Sequence, residues 1–339
     1  MPTATALNQE INANEIAKLL SSNYSKLIAE FYQMQSNFLS SRYKINKSIE
    51  TSNILTYLAM DLHLSIIRKR ENNLNYDISF NNFFYNNENT IEHGQKISTI
   101  SKYTGLPKET VRRKLIKLIE SETVAYNKEN KKFFWILKKK NYSLFSDFMS
   151  KDINSIAKFV LCITSCLNLN LKLKYIENEI KSNFSFTYYH FYSCQMEWIK
   201  MWQNKLSDVD LLFIAIQALI PTLKYQEMKL SADINEHNLY SVIGKTNDGY
   251  KKSNNSISAT SISEISGIPR ATCIRKLNKL VKLGLLIREI NTKRYYVNPI
   301  QAERTKYITK KEYVLNTVNY FSEFLSVIIK SLARNKINQ

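Results

Sequence analysis

Two stretches of the chain carry the side chains best suited to hold a polyanion. Arg113, Lys114 and Lys117 recur as Arg275, Lys276 and Lys279, 162 positions later, and Arg112 stands beside the first set. A guanidinium offers two parallel N–H donors that match a phosphate or the O6/N7 edge of guanine. Lysines and a threonine hydroxyl suit phosphate oxygens. Around the arginines lie Lys108, Glu109 and Thr110 in the first stretch, and Arg270, Thr272 and Ile274 in the second. Ile274 replaces Arg112 and offers a methyl surface, suited either to a thymine methyl or to packing on a neighbouring loop. Further on, Lys128, Lys131 and Lys132, and then Lys293 and Arg294, fall in polar turns where they can reach a phosphate backbone.

Other chemistry is poorly represented. Gly244-Lys245-Thr246 mimics the end of a phosphate-binding loop, but Leu239 stands where its first glycine belongs, so a polar turn is expected. His63, His93, His190 and His237 lack ligand spacing. Cys162, Cys166, Cys194 and Cys273 form no CxxC pair, and three of them lie in apolar helical patterns. No nucleophile–base or paired-carboxylate arrangement stands out. Catalysis, a metal and a cofactor are therefore not expected. His190, among Tyr188, Tyr189 and Phe191, is read as core or dimer packing, with the lining of an effector pocket as the alternative.

The net charge of +19 is concentrated rather than spread: segments 96–140 and 258–300 carry +9 and +6 of it. Concentration of this kind suits a surface that displaces condensed counterions from a polyanion. The N-terminus has no basic start followed by an apolar run, so no signal peptide is read. The longest mostly apolar runs, Ile156–Leu167 and Leu211–Ile220, are shorter than the roughly 18 residues needed to cross a bilayer. A cytoplasmic, nucleoid-associated protein with no membrane partner is expected.

The elements that would position these residues are mainly α, as six glycines and five prolines suggest. Residues 11–43 carry one helical face, and a second helix, capped by Ser48 or Thr51, runs to about Arg70. Segment 71–95, with eight asparagines, reads as a long polar loop. Residues 97–137 then give a short helix, a turn at Thr104-Gly105-Leu106, a helix opening at Pro107, and a hairpin. Val111, Leu115, Leu118 and Ile119 form its inward face, as Cys273, Leu277, Leu280 and Val281 do in the second stretch; Lys108, Glu109, Thr110, Arg112, Arg113 and Lys117 face out in the first, and Arg270, Thr272, Arg275, Lys276 and Lys279 in the second. A helix over 143–168 follows, and 169–185 reads as a connector between domains 1–168 and 186–339. The second half repeats the order: an aromatic helix to about Lys205, a helix capped by Asp208 that Pro221 kinks or ends, a polar loop over 229–257, the stretch 259–299, and an amphipathic helix over 310–335.

Residues 97–137 and 259–299 align without a gap, placing Gly105 on Gly267, Pro107 on Pro269, Thr110 on Thr272 and Leu115 on Leu277. Each copy resembles the helix-turn-helix and wing of winged-helix transcriptional regulators, most similar to the MarR, IclR or Crp type. The resemblance rests on Pro107…Thr110-Val111-Arg112-Arg113 and Pro269…Thr272-Cys273-Ile274-Arg275. It implies a tandem winged-helix duplication, with two recognition helices in one chain reading double-stranded DNA. The first copy departs from the pattern at Glu122-Thr123, where the second keeps Gly284-Leu285. A transcriptional regulator is the leading expectation, with an unidentified effector and a homodimer through the flanking helices as candidate partners. A plasmid-type replication initiator and a protein-interaction scaffold are the alternatives.

Overall fold

A computed structural model describes residues 11–85, 93–206, 208–229, 256–297 and 311–337. Among these the protein is mainly helical, with thirteen α-helices and two two-stranded sheets. Helix α1 (Ala13–Ser22) is capped by Asn12, whose Oδ1 accepts from the Glu15 amide at 3.0 Å. The helical face expected over 11–43 is broken at Asn23, and α2 (Tyr24–Asn46) continues it. Lys47, with φ at +52°, ends α2. Ser48 then caps α3 (Ile49–Asn72), accepting from the Thr51 amide at 3.3 Å.

The polar loop expected over 71–95 contains a short helix, α4 (Phe80–Tyr85). Asn81 is exposed and Asn82 half-buried, while Phe80, Phe83 and Phe84 are buried, all three close to other rings. The apolar gain of three buried rings outweighs the local turn preference of asparagine. Next come α5 (Ile97–Thr104), α6 (Lys108–Glu120), strands β1 (Val124–Asn127) and β2 (Lys132–Trp135), and α7 (Tyr142–Cys166). The expected connector also folds. Within 169–185, α8 (Leu173–Ser182) buries Ile176 and Ile180 and packs on α7. The two isoleucines four positions apart are the helical signal that the polar composition masked.

The remaining elements are α9 (Phe184–Leu206), α10 (Val209–Lys229), α11 (Ala259–Ser266), α12 (Arg270–Lys282), β3 (Leu286–Arg288), β4 (Tyr295–Val297) and α13 (Lys311–Ile337). Asp208 caps α10 through the Leu211 amide at 3.2 Å. Pro221 does not end α10, which runs on to Lys229; the buried residues Ile220, Thr222 and Leu223 around it hold the helix by packing. Most of the loop expected over 229–257, including Gly244-Lys245-Thr246 and His237, lies outside the described residues.

One continuous apolar core runs through both halves of the chain. Helix α3 packs on α9 and α10 packs on α2; α1 packs on α13 and α8 on α7. The halves are interlocked, so the boundary expected at 169–185 does not separate two cores. An ion pair is sealed inside. Arg42 on α2 meets Asp152 on α7 at 2.8 Å and lies over the Phe38 ring. Burial pushes the Asp152 carboxyl up to about 6, against the pull of Arg42.

His63 on α3 is fully buried among Phe83, Phe184, Tyr188 and Tyr192, and neither ring nitrogen has a partner among the described residues. Desolvation lowers its pKa to about 3. The unfolded chain, whose histidine titrates near 6.5, therefore binds a proton that the folded chain refuses. Stability from this site is complete above pH 6.5 and declines as pH falls towards 3. Between pH 7.5 and 5 the loss is about 2 kcal/mol. Urea unfolding of His63→Phe at these two pH values is expected to show a loss smaller than wild type by that amount.

Candidate nucleic-acid interface

Helices α6 and α12 are each set by a tight turn with the same hydrogen bonds in both halves. Gly105 and Gly267 take φ of +70° and +77°, the left-handed region that glycine enters without a Cβ clash. The Ser101 hydroxyl donates to the Leu106 carbonyl at 2.6 Å, and Ser263 to Ile268 at 2.7 Å. Thr104 and Ser266 close the turn by donating to the carbonyls of Ile100 and Ile262. Pro107 and Pro269 stand at the cap positions of α6 and α12, one residue before the first helical turn.

The inward stripes, Val111, Leu115 and Leu118 on α6 and Cys273, Leu277 and Leu280 on α12, are buried as expected from their spacing. Ile119 is not: it is 38% exposed, as Ile116 is at 51%, because the arc of α6 that faces the core ends at Leu118. Of the residues expected to face out, Lys108, Glu109, Arg112, Arg113 and Lys117 on α6 are exposed, and Thr110 is half-buried. On α12, Arg270, Arg275 and Lys279 are exposed and Thr272 is half-buried. Arg112 pairs loosely with Glu109 at 3.5 Å across one helical turn, a solvent-exposed contact of little energetic weight. Arg270 donates to the Thr260 hydroxyl at 3.0 Å. Among the described residues Arg113, Lys117, Arg275 and Lys279 make no ion pair.

On α12, Ile274 takes the packed alternative and Lys276 departs from its expected outward place. Ile274 is half-buried and packs against the core, as its place beside Cys273 dictates. Lys276 is turned inward, with its side chain only 13% exposed: it donates to both oxygens of Asp208 at 2.6 Å and lies 3.8 Å from Asp210. Burial pushes the Asp210 carboxyl up, and Lys276 pulls it back. Lys114 does the same work in the first half, meeting Glu50 at 3.0 Å, Ser48 at 3.1 Å and Thr51 at 3.3 Å. Both lysines thus clamp a basic helix onto the N-terminal turn of a core helix, α6 to α3 and α12 to α10. The signal was in the sequence: positions 111, 114, 115 and 118, like 273, 276, 277 and 280, trace one inward stripe.

The hairpins follow at once. Val124 pairs with Trp135 through to Asn127 with Lys132, and Leu286 with Val297 through to Arg288 with Tyr295. The chain before each short helix adds a further bridge, Gln95 to Phe133 and Ile257 to Tyr295, a contact the sequence reading missed. Asp61 on α3 fixes the first, accepting from the Gly94 amide and the Gln95 side chain at 2.6 Å each. At the tips, Lys128, Lys131 and Lys293 are exposed, and Lys131 and Lys293 share a left-handed φ of 56°. Lys132 is half-buried at the end of its strand. Arg294 is engaged by Ser256, donating to its hydroxyl at 3.0 Å and its carbonyl at 2.7 Å, so it anchors the hairpin rather than extending from it.

Glu122 occupies the left-handed position that Gly284 fills in the second half, with φ of 57° against 75°. The exits are alike: the Thr123 and Leu285 amides donate to Leu118 and Leu280, both at 3.0 Å. Lys140 and Lys138, the latter at 2.9 Å, hydrogen-bond to the Glu122 carboxylate and hold its pKa down at about 2. Those two lysines are therefore neutralised within the first basic stretch.

An open cleft of about 870 Å³ lies between α2, α7 and the end of α11, lined by Ser40, Lys44, Asp147, Lys151 and Ile265 among others. His190 does not line it; it packs edge-on against Phe186 and Tyr189. Among the described residues no group of His, Cys, Asp or Glu is placed to hold a metal ion, and no single helix is long and apolar enough to cross a membrane. No protein-family model matches the chain, and no curated protein or solved structure matches it either.

Clamping and exposed cations are expected to separate under mutation. Lys276→Ala leaves Asp208 and Asp210 without their counter-charge and is expected to lower the free energy of unfolding by about 1–3 kcal/mol. Lys279→Ala, on the open face, is expected to change it by less than about 0.5 kcal/mol. Urea denaturation of the two variants makes the comparison.

Proposed function

We propose that the chain is a sequence-specific double-stranded DNA-binding protein, a transcriptional regulator built on a tandem winged-helix duplication with α6 and α12 as its recognition helices. The observation that carries this reading is the shared open face. Arg113 and Lys117 on α6, and Arg275 and Lys279 on α12, stand at matching positions, exposed and without ion pairs among the described residues. A face selected only for solubility would gain from neighbouring carboxylates; on these two faces the one ion pair among the described residues is the loose contact of Arg112 with Glu109. A helix of this width fits the major groove of B-DNA, where arginine reads guanine and lysine holds phosphate. The exposed hairpin lysines, Lys128, Lys131 and Lys293, flank each helix as backbone contacts.

Replacing Arg112, Arg113 and Arg275 together by alanine leaves every buried contact in place. Fluorescence anisotropy on a duplex selected by the wild-type protein is expected to show binding weakened about 100-fold or more at physiological salt. The log–log salt slope should become shallower by about 2 to 3. Unchanged affinity in a folded triple variant would refute the reading and favour a protein partner for these faces.

A further inference from the structure

The two halves of the chain meet reciprocally. Phe31 on α2 lies 6.0 Å from Trp198 on α9, and Phe38 on α2 lies 5.3 Å from Phe191 on α9. A shift of 160 positions takes Phe31 to Phe191 and Phe38 to Trp198. Each contact is therefore the other with the halves exchanged. That exchange is the mark of a twofold interface; a head-to-tail arrangement does not return the same pair. Between the two contacts sit Gln35 and Gln195, again 160 apart, both fully buried and neither amide with a partner among the described residues.

The same exchange holds at the level of elements. Helix α3 on α9 answers α10 on α2, and α1 on α13 answers α8 on α7. The turn regions obey it too: α5 approaches α9 as α11 approaches α2. Since Lys114 and Lys276 clamp α6 and α12 to α3 and α10, the reading helices inherit the dyad. Helices related by a twofold axis face duplex half-sites of opposite polarity, an inverted repeat, whereas a direct repeat requires a translation.

The dyad is imperfect where it would touch DNA. Exposed Arg112 becomes core-packed Ile274, Glu109 becomes Ala271, and Ile116 becomes Asn278. A homodimer has identical heads and binds a palindrome in two equivalent orientations. Two unlike heads on one chain do not.

We infer that a single copy of this chain spans an imperfect inverted repeat with two unlike arms, and binds it in one fixed orientation, α6 on one arm and α12 on the other. This rests on the DNA-binding reading above. The arm under α6, faced by both Arg112 and Arg113, is the more sharply specified, with guanine favoured.

The test begins with selection of duplexes from a random pool by the full-length chain. Enriched sequences are expected to share two unlike arms in inverted order. Re-ordering one arm to give a direct repeat should weaken binding about tenfold or more. Native mass spectrometry of the complex should show one chain per duplex. Arg113→Ala should flatten base preference in one arm only and Arg275→Ala in the other only, with helical content unchanged by circular dichroism. A direct repeat, a single arm, two chains on identical arms, or flattening of both arms by either variant would overturn the inference while leaving DNA binding intact. Enrichment of no duplex at all would instead remove the reading on which it rests.

Discussion

Phe31, Phe38, Phe191 and Trp198 are all buried where α2 crosses α9, two rings from each half meeting edge-on. Removing one such ring from a core costs about 3–5 kcal/mol, a large part of the net stability of most domains. Helix α3 lies on α9 and α10 on α2, each crossing to the opposite half, so neither half buries its own apolar surface alone. Helices α1 and α8 then reach across to α13 and α7. The two basic stretches, remote in sequence, are thereby mounted on one continuous core.

The mounting depends on charge as well as packing. Lys114 and Lys276 bring a cation to the N-terminal turn of a core helix, where the helix dipole alone would oppose it. Glu50 in one half, and Asp208 and Asp210 in the other, reverse the local field and make the contact favourable. Elsewhere the halves differ in chemistry while agreeing in shape. Arg42 and Asp152 form a sealed ion pair in the first half, whereas the positions 160 and 169 further on hold the buried Trp202 and Phe321. A buried ion pair is rarely more stable than apolar residues of similar volume, so its presence on one side only distinguishes the halves more than it stabilises either.

Much of this was legible in the sequence because helical periodicity and turn residues act locally. The inward stripe of α6, the glycine turns at Gly105 and Gly267, and the caps at Ser48 and Asp208 all follow from spacing and residue type. Misreadings arose where a long-range partner decided the outcome. Lys276 is polar and basic, so charge suggested an outward face, but Asp208, 68 positions away, draws it in. Arg294 was placed at a hairpin tip until Ser256, 38 positions back, engaged it. Polar composition hid α4 and α8, each of which is short and held by a few buried side chains, α4 against α9, distant in sequence, and α8 mainly against the preceding α7. The interlocking of the halves left no local trace at all, since the rings at the crossing look like ordinary core on either helix.

The central claim is that two dyad-related basic faces of one chain engage the same duplex. Hydroxyl-radical footprinting of the full chain on a bound duplex addresses it directly. Two protected windows on one face of the DNA, a whole number of helical turns apart, are the predicted result. A single window, or protection of the opposite face between the windows, would contradict it.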